Sequence, residues 1–70
     1  MKVSELLATL ETTGIIKRAY FGYVNTDEYT SPYDIDKIKN AAEFIDFRIS
    51  DVIRWSIEPG IYETFLCIWI

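Results

Sequence analysis

Ile53-Arg54-Trp55-Ser56-Ile57-Glu58-Pro59-Gly60-Ile61-Tyr62-Glu63-Thr64-Phe65-Leu66-Cys67-Ile68-Trp69-Ile70 is the stretch on which the fold turns. Its first part continues a series that starts at Phe47, in which Phe47, Ile49, Ile53, Trp55 and Ile57 alternate with Arg48, Ser50, Val52, Arg54, Ser56 and Glu58. A period of two predicts a strand with one wet face. Asp51 interrupts the apolar series, which predicts either a bulge there or a preceding helix that runs on through Ile49, Val52 and Ile53. Pro59-Gly60 reads as a turn, with proline at i+1 and glycine where a positive φ is required. Residues 61–70 return as the second arm of a hairpin.

The two arms differ in one respect that bears on function. If Glu58 lies opposite Ile61, then Ile57 faces Tyr62, Trp55 faces Thr64, Ile53 faces Leu66 and Ile49 faces Ile70, and this side packs on the helices. On the other side Ser56 faces Glu63, Arg54 faces Phe65, Val52 faces Cys67 and Ser50 faces Trp69. A solvated antiparallel hairpin is apolar on one face only, whereas the last strand carries Phe65, Cys67 and Trp69 on its second face as well. Those three residues need a cover that the preceding strand does not supply.

Working towards the amino terminus, Ser31-Pro32-Tyr33-Asp34 reads as a helix start, with a cap, a proline at N1 and an acid at N3. Ile35, Ile38, Ala41, Ala42 and Ile45 form its buried stripe. Residues 25–30 are a polar loop. Residues 15–24 are rich in β-branched and aromatic side chains and predict a strand, with Gly22 marking a bulge or a close backbone approach. Residues 4–13 predict a short helix whose apolar face is Val3, Leu6, Leu7 and Leu10, capped by Ser4 and ended by Gly14. The expected fold is α+β: a single domain over residues 1–70, in the order α-β-α-β-β. Its sheet is three-stranded and antiparallel with a C-terminal hairpin, and its helices lie on one face.

Composition narrows the function classes. Seventy residues bury only roughly 60% of the surface that the unfolded chain exposes, and a single cysteine, Cys67, allows no internal disulfide. No histidine is present, which removes the usual general base, the Ser-His and Cys-His nucleophile pairs and the ordinary zinc sites. We therefore expect no enzyme and no cofactor. Half of the residues are apolar and 16% are aromatic, a composition that folds. The longest apolar run, residues 65–70, is far below the ~20 residues of a bilayer crossing. Absence of a secretory pattern at residues 1–5, together with a lone thiol, predicts a cytoplasmic protein with no membrane association.

Charge is localised. Seven bases oppose eleven acids for a net charge of -4, and residues 25–36 hold Asp27, Glu28, Asp34 and Asp36 without a base, while the flanking segments cancel one another. Scattered bases and a net negative charge argue against nucleic-acid binding. Asp34 and Asp36 suit a helix start better than a shared proton or a metal. Cys67, between Leu66 and Ile68, reads as a packing residue.

Two surfaces remain. Phe65, Cys67 and Trp69, with Val52 and Arg54 opposite them, form an expected protein interface, either a homodimer or a contact with another protein. Tyr23, Asp27, Glu28, Tyr29, Tyr33, Asp34 and Asp36 form an expected recognition loop, since tyrosines on connecting segments suit recognition. The function expected from these is a non-catalytic protein-interaction module. A small acidic inhibitor of the phage type, offering its four acids to a basic cleft as a nucleic-acid mimic, is the alternative.

Overall fold

A computed structural model describes residues 1–10 and 16–70. The end of the first expected helix at 11–13, the Gly14 stop and the strand start at Ile15 lie outside the described residues. Helix α1 spans Val3–Thr9 and buries Val3, Leu6 and Leu7, the face expected from their spacing. It begins one residue earlier than expected: Lys2, not Ser4, occupies the cap, and the Glu5 carboxylate accepts the Lys2 backbone N–H at 2.9 Å. An acid three residues into a helix satisfies a donor that has no intrahelical partner. The terminus is tied to the chain entering β4. Val3 N–H donates to Ser50 O at 3.0 Å, Val52 N–H donates to Met1 O at 2.7 Å, and Lys2 Nζ meets Asp51 Oδ1 at 2.9 Å. Asp51 thus marks a short bridge to Lys2.

Strand β1 (Ile16–Tyr23) turns through residues 24–27 into β2 (Glu28–Tyr29). Asp27 takes φ 56° in that turn, a left-handed conformation that aspartate tolerates better than most residues. The segment after Pro32 corrects the sequence reading. Tyr33–Asp34 is a strand, β3, paired antiparallel with β1 at Ala19 and Arg18. Helix α2 is Ile35–Asn40. The ladder to β1 satisfies backbone groups that a helix start at Ser31 would leave to water.

Nor does the helix run to Ile45. Ala41 is extended (φ -76°, ψ 138°), a 3-10 turn follows at Ala42–Phe44, and α3 covers Ile45–Arg48. The break is capped by Arg48, whose Nη1 donates to Ile38 O at 2.8 Å and Ala41 O at 2.7 Å. It turns Phe44 and Phe47 inwards: Phe47 stacks on Phe21 at 4.3 Å between centroids, and Phe44 meets Tyr33 edge-on at 4.8 Å. Two aromatic rings bury more apolar area than the Ile45 side chain they replace, and Ile45 is exposed. The strand expected from Phe47 therefore begins only at Arg54, and the rival helix through Ile49, Val52 and Ile53 does not form either: α3 ends at Arg48 and Asp51 bridges to Lys2.

Strands β4 (Arg54–Pro59) and β5 (Thr64–Trp69) form the expected antiparallel hairpin with a different register: Arg54 faces Trp69, Ser56 faces Cys67 and Glu58 faces Phe65. A four-residue loop, 60–63, replaces the two-residue turn. Gly60 does not adopt a positive φ; it provides room, because a Cβ there would lie 2.5 Å from Glu63 O, the group that accepts the Gly60 N–H at 2.8 Å. The fold is α+β, but the sheet is not three-stranded and antiparallel. It has five strands in the order β2-β1-β5-β4, with β3 also on β1, and β1 and β5 run parallel at its centre. Helix-side residues Ala19, Phe21, Leu66 and Ile68 close the core with α1, α2 and Phe44.

Candidate functional site

The central position of β5 explains its two apolar faces, because a strand flanked on both sides and covered on both faces carries no polar alternation. On the face away from the helices, Trp69 lies over Gly22, and the Arg54 guanidinium carbon sits 4.5 Å from the Trp69 ring centroid. Tyr29 meets Trp69 edge-on at 5.0 Å and Tyr20 at 5.7 Å, and Tyr20 meets Phe65 at 6.2 Å. Arg18 approaches the Phe65 ring to 5.7 Å and forms an ion pair with Glu63. Cys67 is 2% exposed at the centre of this array. Burial pushes its thiol up from the ordinary value, against the pull of the Tyr20 hydroxyl that donates to it. Tyr20 is itself pushed up to about 12, chiefly by burial and then by Cys67. Cover for Phe65 and Trp69, which are part-buried, comes from the chain itself. Val52 does not join them: it packs against the helix-side core, and Ser56 occupies the position expected for it.

The recognition segment is divided. Tyr29 stays exposed on the sheet face, and Asp27 sits at the hairpin tip beside Glu28, whose partner in the ladder is Tyr23. Tyr33 packs inward on Phe44 and Phe47. Asp34 faces Arg18 in the ladder, and Asp36 opens α2. Glu28 and Asp34 are thus five residues apart along β1, about 17 Å, so the four acids do not form one patch. Lys17 and Lys37 line a 350 Å³ depression together with Asp34 and Asp36, which leaves mixed charge at that end. A second depression, of 640 Å³, is walled by Tyr23, Glu28, Asp51, Ile53 and Ile70 among others. Among the described residues no three metal-ligating side chains gather, and no helix is long and apolar enough to cross a membrane.

The surface that sequence reasoning placed in the core is the helix side of β4. Trp55 faces Ile68 and Ile57 faces Leu66 across the ladder, so all four lie on one face. Yet Ile53, Trp55 and Ile57 are 62%, 40% and 49% exposed. The core is built from α1, α2, the 3-10 turn, β1 and β5, with no residue of β4: the short helices reach the two central strands and stop. β4 is also a free edge among the described residues.

The chain matches no family model, no curated protein and no solved structure.

The outward backbone groups of β4 follow from those of β5. Ile70 N–H donates to Gly22 O, and Ile70 O accepts from Val24 N–H, so Ile70 faces β1. Alternation turns Trp69, Cys67 and Phe65 towards β4, in accord with the Ile53 N–H on Trp69 O at 2.8 Å. Their partners Arg54, Ser56 and Glu58 face β5 in return. Trp55 and Ile57 therefore direct N–H and C=O away from the sheet. Pro59 has no N–H to offer, and Ile53, whose N–H is already used, closes the other end. The open edge is short and bounded.

Proposed function

We propose that this chain is a non-catalytic protein-interaction module whose contact surface is the open edge of β4. The observation that carries this reading is the exposure of Trp55 and Ile57 on the very strand whose backbone groups at those two positions are free to pair. Edge strands of this kind are normally blunted, and β-strand addition is an established mode of recognition in which backbone pairing gives affinity and alternate side chains give specificity. The opposite sheet face, being covered by Tyr20, Tyr29, Arg18 and Arg54, supports the role less well than the sequence alone suggests.

A photo-reactive residue at position 57, with a control at the exposed Lys39 of α2, tests it in the native cell. Covalent protein adducts from position 57 and none from position 39 are expected. Absence of adducts at 57, or equal adducts at both sites, overturns the reading.

A further inference from the structure

Resting on that reading, we infer that the occupant of the β4 edge is a second copy of this chain, paired antiparallel about a two-fold axis through Ser56. Antiparallel self-pairing of a strand is isologous, so the same segment must be complementary to itself. β4 meets that condition in this register. Ser56 faces Ser56 of the second copy, Arg54 faces Glu58 and Glu58 faces Arg54, while Trp55 faces Ile57 and Ile57 faces Trp55.

Three independent features agree with it. The residues that direct backbone groups outward, Trp55 and Ile57, fall at the hydrogen-bonded positions of the new ladder, where each pair exchanges two bonds. Arg54 and Glu58 fall at the closely spaced non-hydrogen-bonded positions, where opposite charges interact best. Both are exposed, and among the described residues Glu58 holds only the Ser56 hydroxyl, at 2.7 Å. Finally, the ladder ends where the strand requires it, since Pro59 would meet Ile53, neither with an N–H to give. On the helix side the two Trp55 and two Ile57 side chains become one apolar cluster. A register centred on Trp55 would set Arg54 beside Ser56 and leave Glu58 without a basic neighbour; one centred on Ile57 would set Glu58 beside Ser56 and leave Arg54 without an acidic one.

The charges allow a test specific to this register, read by light scattering coupled to size exclusion, with circular dichroism on each variant to show that it is folded. Wild-type chain forms dimers at micromolar concentration. Arg54→Glu and Glu58→Arg each place like charges opposite one another twice, and each weakens the dimer roughly tenfold. Mixed in equal amounts, the two variants restore both ion pairs and form a heterodimer of wild-type strength.

Because Arg54 also covers Trp69, a second variant leaves it in place: Ser56→Cys with Cys67→Ala forms an intermolecular disulfide on mild oxidation, and Glu58→Cys with Cys67→Ala does not. A wild-type chain that stays monomeric, a mixture of the charge variants that stays dissociated, or equal crosslinking from positions 56 and 58 overturns the inference. Monomeric wild type with adducts from position 57 to a different protein overturns self-pairing while leaving the interaction module standing.

Discussion

Replacing Gly22 with alanine loads the most crowded point on the open sheet face. The new Cβ would lie 2.8, 2.9 and 3.0 Å from Cε3, Cζ3 and Cδ2 of Trp69. Carbon atoms rest at about 3.5–4.0 Å, so the indole must retreat by roughly 0.8 Å. Arg54 at 4.5 Å and the Tyr29 edge at 5.0 Å restrict where it can go. Overpacking of this kind costs about 1–3 kcal/mol, against about 0.5–1 kcal/mol that alanine gains over glycine within a strand. The net loss is about 1–2 kcal/mol, which for a domain of this size lowers Tm by roughly 5–15 °C. Thermal and urea unfolding followed by circular dichroism measure it, with an unchanged urea slope showing that stability alone has altered. The mechanism is isolated by a second background: with Trp69→Leu already in place, Gly22→Ala becomes neutral or mildly stabilising. A Gly22→Ala protein as stable as wild type, or an equal loss in both backgrounds, refutes the argument from crowding.

Arg48→Met keeps the aliphatic stem but removes both hydrogen bonds that close the break after α2, and is expected to lower stability by about 2 kcal/mol; an unchanged urea midpoint would show that the break holds without its cap. Cys67 in the folded chain resists alkylation at mildly alkaline pH and reacts quickly once denatured, because burial keeps the thiol protonated; equal rates would refute this. Both Cys67 and Tyr20 have their folded values raised, so the stability they contribute is fully present below their ordinary values of 9.0 and 10.0 and is lost as pH rises through the folded values, which for Tyr20 is about 12. Tyr20→Phe therefore flattens the alkaline decline of the urea midpoint, and an identical decline in the two proteins would contradict the assignment.

The parts of this architecture that the sequence makes legible are those set by local periodicity. The α1 face follows from Val3, Leu6 and Leu7, and β1 occupies nearly its expected span with Gly22 at a close approach. Face sharing in the hairpin survives although the partners are displaced. Arg54 was expected beside Phe65 and lies beside Trp69, a shift of four positions along β5, and an even shift leaves every side chain on its own face. What local patterns do not encode is the parallel pairing of β1 with β5, a contact between distant segments. That pairing changes the meaning of the last strand: apolar character on both faces marks a central strand as readily as a contact surface. The same pairing pushes β4 to the edge, where residues with a core pattern stand in water. The second helix is not continuous because Arg48, a charged residue in a segment with a strand pattern, stabilises the extended Ala41.

Among the elements described, β5 is translated last, and it fills the middle of the sheet rather than a margin. Until residues 64–69 have left the ribosome, β1 and β4 are separated by a vacant lane about 10 Å wide, and the Tyr20 ring lacks Phe65. Closure of the sheet therefore waits on residues 64–69, and a message interrupted before Thr64 yields a polypeptide with nothing to join β1 to β4.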